Sequence, residues 1–117
     1  MVNDFRDLKV WQKAHQMVLD IYKVTKGFPP EEKYGVVSQI RRSAVSVCAN
    51  IAEGGKKSTK DYLRFLEISH GSLEETRYYF ILGKDLGYLS EEKFQSLWRL
   101  SDEVGKMLHG ISRSIRC

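Results

Sequence analysis

Three lysines interrupt the helical pattern in the middle of the chain, within the stretch NIAEGGKKSTKDY at positions 50–62. Lys56, Lys57 and Lys60 follow two glycines and precede the next apolar repeat. Cations grouped at a turn are typical of surfaces that contact phosphate groups, but most such groups only keep a turn hydrated. Both interpretations stay open on the sequence alone.

Catalytic and metal-binding patterns are incomplete in this sequence. Glu67 and His70 form one E-x-x-H pair, whereas a di-iron bundle needs two such pairs and two further glutamates. The string GGKKST lacks the G-x-x-x-x-G-K-[ST] spacing of a phosphate-binding loop, and no strand precedes it. No nucleophile has a base and an orienting group at suitable spacing. We therefore expect no enzymatic activity, no metal and no cofactor.

The composition is that of a globular cytoplasmic protein. The 117 residues are 42% hydrophobic and 29% charged, with a net charge of +4, which argues against disorder. No apolar run approaches the roughly 20 residues that span a bilayer, and the N-terminus lacks the apolar segment of a signal peptide. The two cysteines are too few for a secreted disulfide scaffold. We expect a single cytoplasmic domain over residues 1–117 that does not contact a membrane.

Four segments carry apolar residues at spacings of three and four, which is the period of an amphipathic helix. The sequence predicts helices at about 8–26, 31–53, 59–86 and 91–115, with Ser58 and Ser90 as N-caps. The connections are only a few residues long, so sequential helices become antiparallel neighbours. The fold class is therefore all-α, an antiparallel up-down-up-down four-helix bundle.

This topology gathers cations at one end of the bundle. The N-terminus, the turn between the second and third helices and the C-terminus meet there. We predict that this end contacts nucleic-acid phosphates. The candidate residues are Lys56, Lys57, Lys60, Arg113, Arg116, Arg6 and Lys9, followed by Arg41 and Arg42 on the second helix.

A second polar group lies on the second and third helices. Arg64 and Glu67 are three residues apart, a spacing that allows an ion pair along one helix face. Glu53 stands near the turn, within reach of Arg64, and Asn50 lies beside a core position, where a partly buried hydrogen bond is expected. We interpret Asn50, Glu53, Arg64 and Glu67 as a structural network that fixes helix register or a subunit contact.

Two adjacent tyrosines, Tyr78 and Tyr79, cannot both face the interior of one bundle. One ring is therefore exposed, and the sequence does not say which. An exposed aromatic side chain is typical of a subunit interface. Most other aromatic residues match core or near-core positions, so packing is expected of them rather than base stacking.

Three segments, FRDLKVWQKAHQMVLDIY, QIRRSAVSVCANIAEG and YLRFLEISHGSLEE, resemble the four-helix bundle proteins encoded in intervening sequences of bacterial 23S rRNA genes. The accessory variability protein of diversity-generating retroelements is related to this family. The resemblance covers nearly the whole chain, and Cys48 departs from it because the family commonly has proline there. It implies a homo-oligomeric ring, typically a pentamer, with a basic surface. It also implies a link to ribosomal RNA or, for the retroelement relatives, nucleic-acid binding and partnership with a reverse transcriptase.

The leading hypothesis is a non-enzymatic, oligomeric bundle that binds structured RNA or DNA through backbone phosphates, without sequence readout. The alternative is a protein-interaction scaffold that docks a partner enzyme such as a reverse transcriptase, with nucleic acid incidental. Salt separates the two, because phosphate contacts give a steep linear fall of log affinity with log salt. The natural partner, the pathway and the direction in which the basic end faces stay open.

Overall fold

Apolar side chains at helical spacing assemble residues 4–116, the part of the chain that the computed structural model describes, into a four-helix bundle of 44 × 24 × 20 Å. The helices are α1 (Lys9–Thr25), α2 (Val36–Gly54), α3 (Thr59–Asp85) and α4 (Glu91–Arg116). Short 3-10 turns at Phe5–Asp7 and Pro30–Glu32 precede α1 and α2. Each helix contacts the next and α4 contacts α1. The predicted all-α bundle is confirmed.

The apolar stripes of the four helices meet along the bundle axis. Met17 and Ile21 of α1, Leu73 and Phe80 of α3 and Val104 of α4 are fully buried. Spacings of three and four place such residues on one side of each helix. Burying a side chain of this size contributes roughly 1.5–3 kcal/mol. The hydrophobic effect therefore sets which face of each helix turns inward.

The second helix begins at Val36, five residues later than the sequence pattern indicated. Pro30–Glu32 forms a 3-10 turn instead, and Gly35 has φ −109° and ψ −114°, outside the helical region. The Glu32 carboxylate accepts hydrogen bonds from the Val36 N–H at 3.3 Å and from the Tyr88 hydroxyl at 2.8 Å. Glu32 therefore stabilises the start of α2 from outside the helix. Glu31 and Glu32, which the sequence pattern placed in α2, belong to the turn before it.

The third and fourth helices begin at the predicted caps. Ser58 Oγ accepts a hydrogen bond from the Asp61 N–H at 3.3 Å, and Ser90 Oγ accepts one from the Lys93 N–H at 3.1 Å. Each bond satisfies a backbone donor that the first turn of a helix leaves unpaired. At its other end, α3 is followed by Gly87 in the left-handed region, with φ +80°.

Small polar residues line the contact between α2 and α3, which is the most extensive in the bundle. Buried hydroxyls need hydrogen-bond partners, and here the facing helix supplies them. The bonds are Ser43–Thr76 at 2.8 Å, Ser46–Ser72 at 2.8 Å and Ser69 Oγ to the Val47 carbonyl at 2.9 Å. We refer to the five hydroxyl residues, Ser43, Ser46, Ser69, Ser72 and Thr76, as the hydroxyl seam. Their short side chains let the two helices approach closely.

Gly54, the last residue of α2, is required by the same close approach. A Cβ atom at this position would lie 2.7 Å from Phe65 Cβ and 3.0 Å from Tyr62 Cδ1. Phe65 Cβ moves only with the α3 backbone, so the clash is not relieved by a rotamer change. The α2–α3 turn therefore starts from a glycine for reasons of packing.

Replacing Gly54 with alanine should destabilise the bundle. An unhindered glycine-to-alanine change in a helix stabilises by roughly 0.5–1 kcal/mol, but overpacking costs about 1–3 kcal/mol. We expect the free energy of unfolding, measured in urea, to fall by about 1–2 kcal/mol.

Gly71→Ala is the matched control. Gly71 lies on the exposed side of α3, with no atom within 4 Å of the position a Cβ would take. This change should raise the free energy of unfolding by roughly 0.5–1 kcal/mol. Stabilisation by both substitutions would contradict the close packing of Gly54 against α3.

Cys48 lies buried on α2 as a free thiol. Burial raises the pKa of this thiol from 9.0 to about 12. Between these values the unfolded chain loses its thiol proton before the folded chain does, so stability falls as pH rises from about 9 to about 12. At neutral pH the thiol is protonated and poorly nucleophilic.

Cys48 should resist thiol reagents until the protein unfolds. In a Cys117→Ser variant, which leaves Cys48 as the single cysteine, we expect very slow reaction with a disulfide reagent at pH 8. Full reaction should occur in denaturant, as measured by the absorbance of the released thiolate. Rapid reaction in native buffer would show that α2 does not bury this position.

Candidate nucleic-acid interface

Three segments meet at one end of the bundle. Phe5, in the 3-10 turn before α1, lines a cleft of about 240 Å³ with Lys56 of the α2–α3 turn and Tyr62 of α3. The last turn of α4 joins them, because Arg116 contacts Glu67 of α3. We call this surface the basic end. Its cations are Arg6, Lys9, Lys56, Lys57, Lys60, Arg64, Arg113 and Arg116.

Lys56, Lys57 and Lys60 are all exposed at this end. Lys56 and Lys57 lie between the helices, where the Lys57 N–H donates to the Gly54 carbonyl at 3.0 Å and closes the turn. Lys60 lies in the first turn of α3. None of the three forms an ion pair within residues 4–116. Their charges are therefore available to a ligand.

Two arginines of the basic end are already paired. Arg6 Nη2 lies 2.6 Å from Asp4 Oδ2, and Arg6 Nε donates to Asp4 Oδ1 at 3.0 Å. The Arg6 side chain, then its backbone N–H, lower the pKa of Asp4 to about 2, and the charge of Lys56 adds to this effect. Arg116 Nη2 donates to Glu67 Oε1 at 3.1 Å. Both pairs are exposed, so a polyanion competes for these arginines at little loss of stability.

The ion pair predicted between Arg64 and Glu67 does not form within residues 4–116, whereas the partly buried hydrogen bond predicted for Asn50 does. Asn50 Nδ2 donates to a backbone carbonyl one turn earlier in α2, at 2.8 Å. Glu67 pairs with Arg116 rather than with Arg64, and neither Arg64 nor Glu53 has an ion-pair partner among residues 4–116. The spacing of three residues permitted a pair along α3, but α4 brings a competing cation to the same carboxylate.

Arg64 therefore joins the basic end, a role that the sequence analysis missed. Arg64 lies four residues after Lys60 on the exposed side of α3, so the two side chains leave the helix on the same face. This spacing of cations was the signal that could have identified it. Arg64 was instead interpreted as an ion-pair partner of Glu67, so it was not counted among the cations of this end.

Arg41 and Arg42 lie on α2, away from the basic end. Arg41 Nε donates to Thr25 Oγ1 at 3.0 Å, and Arg41 Nη2 donates to the Tyr22 carbonyl at 3.3 Å. Its guanidinium also stacks 4.4 Å from the centroid of the Tyr22 ring. Arg41 thus secures the end of α1. Arg42 is exposed and lines a different surface.

Charge is separated along the bundle axis. The eight cations of the basic end face five carboxylates, those of Asp4, Asp7, Glu53, Asp61 and Glu67. At the far end, seven cations stand against six carboxylates. These are Lys23, Lys26, Lys33, Arg41, Arg42, Lys84 and Lys93 against Asp20, Glu31, Glu32, Asp85, Glu91 and Glu92. One end therefore attracts polyanions more strongly than the other.

Neither a metal-binding group nor a membrane-spanning helix is found in the described part of the chain. Among residues 4–116, no group of three His, Cys, Asp or Glu side chains is placed to hold a metal ion. In the same range, no helix combines the length and the apolar character that a membrane span requires.

Comparison with known proteins places the chain in a described family. A family model described as "23S rRNA-intervening sequence protein" matches residues 6–110. A 1.70 Å crystal structure from Bacteroides thetaiotaomicron, of a protein with unknown function from the S23 ribosomal protein family, is similar with a TM-score of 0.82. Identity is 29%, over 89% of this chain and 95% of that one. A comparison with curated proteins gives no match. The family match includes the lysines of the α2–α3 turn.

If the basic end binds RNA, replacing Glu67 with glutamine should release Arg116 and strengthen that binding. Removing one exposed carboxylate changes the interaction with a polyanion by about 0.5–1 kcal/mol, or two- to fivefold in affinity. We expect this increase in fluorescence anisotropy titrations of labelled duplex RNA at low salt, with an unchanged melting temperature.

Glu91→Gln provides the control for this experiment. Glu91 pairs with Lys84 at 3.5 Å at the far end, so its removal adds the same charge away from the basic end. An equal gain in affinity for both variants would show that net charge, rather than its position, governs binding.

Proposed function

Because this chain belongs to the 23S rRNA-intervening sequence protein family, we propose that it is a bacterial, cytoplasmic, non-enzymatic oligomer that binds structured RNA or DNA. The observation that carries this proposal is the α2–α3 turn. There Lys56, Lys57 and Lys60 are exposed and have no ion-pair partner within residues 4–116. Such side chains bind phosphates as point charges.

Binding at this surface reads the backbone rather than the bases. Lysine ammonium groups on flexible stems neutralise phosphates but do not impose the bidentate geometry that discriminates base edges. Lys60 and Arg64 extend the charge along α3, away from the turn. A row of cations of this kind follows a phosphate backbone and positions the protein on it. Affinity is therefore expected to be similar across sequences.

The oligomeric part of the proposal rests on α3, which carries apolar side chains on two opposite faces. Leu73 and Phe80 are buried, whereas Ile68, Tyr78 and, directly after the helix, Leu86 are exposed, Tyr78 to 56%. Tyr78 is thus the exposed member of the adjacent tyrosine pair. Exposed apolar and aromatic side chains on one helix face are typical of subunit contacts. The family resemblance implies a ring, typically a pentamer. A ring would present one basic end per subunit, so weak contacts from several subunits would add together.

The four helices differ in this respect. The large hydrophobic residues that are exposed within residues 4–116 lie on α1, α2, α3 and the connections, and none lies on α4. The outer face of α4 is instead polar, with Gln95, Arg99 and Lys106 exposed along it. We propose that α4 faces solvent in the assembly.

Replacing Lys56, Lys57 and Lys60 with glutamate should abolish most nucleic-acid binding without unfolding the bundle. Each lost phosphate contact lowers the slope of log affinity against log salt by about one. We expect at least a tenfold loss of affinity for duplex RNA and duplex DNA alike, measured by anisotropy at two or more salt concentrations.

The matched control reverses three lysines at the far end, Lys23, Lys26 and Lys93. It changes the net charge by the same amount and should retain most of the affinity and most of the salt slope. Unchanged affinity in the Lys56, Lys57 and Lys60 variant, or failure of the wild type to bind either duplex at low salt, would overturn the proposed function.

The exposed face of α3 favours a second candidate function, the docking of a partner protein. The resemblance implies a reverse transcriptase as partner for the retroelement relatives. In that case Ile68, Tyr78 and Leu86 contact the partner and nucleic acid is incidental. The mass in solution separates the two uses of this face, because a protein that is monomeric alone leaves the face free for another chain.

A further inference from the structure

A cleft between α1 and α2 lies apart from the basic end. Its volume is about 450 Å³, within the range of about 300–1,000 Å³ that small-molecule sites occupy. Arg42 in this cleft precedes Gly54 by 12 residues, or roughly 18 Å along α2. The residues that line it include Tyr22, Lys33, Tyr34, Arg41, Arg42 and Val45.

Tyr22 forms a fixed aromatic surface in this cleft. The Arg41 guanidinium stacks 4.4 Å from the Tyr22 ring centroid. The same guanidinium is held by hydrogen bonds to Thr25 Oγ1 at 3.0 Å and to the Tyr22 carbonyl at 3.3 Å. Tyr22 nevertheless remains 40% exposed. It is therefore oriented before any ligand arrives, which lowers the entropy lost on binding.

Tyr34 provides a second and more open ring. It precedes α2, is 85% exposed and has the Lys33 ammonium 5.4 Å from its ring centroid. Arg42 is exposed in the same cleft and has no ion-pair partner in the range 4–116. Two aromatic rings thus stand beside three cations, none of which forms an ion pair within residues 4–116.

We propose that this cleft binds single-stranded nucleic acid, with an unpaired base stacked on Tyr34 and a second base against Tyr22. Lys33 and Arg42 contact the phosphates that flank the stacked bases. Aromatic rings beside a positively charged groove are the combination that binds single strands without sequence preference. The site rests on the proposed nucleic-acid function, but it uses different residues and recognises unpaired nucleotides rather than duplex.

The charges in the cleft favour a nucleic acid over a protein segment. The residues that line it include Lys33, Arg41 and Arg42, and no carboxylate is among them in the described part of the chain. A polyanion supplies a complementary charge at every nucleotide, whereas a protein would need an acidic patch of matching shape. Val37 and Val45 complete an apolar floor suited to base faces.

The test compares Tyr34→Ala and Tyr34→Phe with the wild type. The probes are a fluorescein-labelled uridine decamer, which is unstructured, and a labelled RNA duplex. Loss of one stacking ring should weaken binding of the decamer about tenfold, and phenylalanine should retain it. Neither change should alter duplex binding, which depends on the basic end. Because Tyr34 is exposed, the melting temperature is expected to stay the same.

Leu19→Ala is the control for loss of exposed apolar surface. Leu19 is exposed on α1 but does not line the cleft, so this variant should bind the decamer like the wild type. Equal affinity of Tyr34→Ala and wild type for the decamer would overturn the site. A lower mass in solution for Tyr34→Ala would also overturn it, because the cleft would then be an interface between copies of the chain.

Duplex binding at the basic end and single-strand binding in the α1–α2 cleft can be disproved independently of each other. Wild-type protein that binds the duplex but not the decamer leaves the basic end intact and removes the cleft. Protein that binds the decamer through Tyr34 but not the duplex supports the cleft and removes the basic end as the main site. Reversal of Lys56, Lys57 and Lys60 should weaken duplex binding more than decamer binding.

Discussion

The close contact between α2 and α3 is the constraint on which the rest of the molecule depends. Its hydroxyl seam satisfies buried polar groups across the two helices, and Gly54 lets α3 start beside the last turn of α2. A bulkier seam would separate the helices and lengthen the path that the turn has to span. The geometry of the most basic stretch of the chain is therefore set by small residues that carry no charge.

The same constraint explains how the basic end tolerates its charge. The connection from Gly54 to Thr59 is short, and Lys56 and Lys57 on it are exposed to water. In water the repulsion between neighbouring lysines is weak and is screened further by salt. Packing energy holds the turn in place, so the lysines do not have to stabilise the fold.

The sequence predicted most of the fold because helical periodicity follows directly from which side chains avoid water. Met17, Leu73 and Val104 lie at stripe positions and are buried. The predicted start of α2 was wrong, because the Pro30–Glu32 turn also places acids where a helix would accept them. Glu32, at the end of this turn, is held by a contact with Tyr88, more than 50 residues away in the chain. Local pattern carries no information about such contacts.

Side-chain roles were harder to predict than helices, for the same reason. Charge and spacing do not reveal that Arg116 pairs with Glu67, the residue expected to pair with Arg64. Nor do they reveal that Arg41 donates hydrogen bonds to the end of α1. Both outcomes depend on which helices become neighbours.

The polar outer face of α4 has a practical consequence for work in solution. Lys106 is exposed there and has no ion-pair partner in the described range 4–116. A cysteine at this position in a background without other reactive thiols would accept a fluorophore. The dye would lie on a helix that lines neither the α1–α2 cleft nor the apolar face of α3. Rotation of the protein could then be followed while the dye leaves both surfaces uncovered.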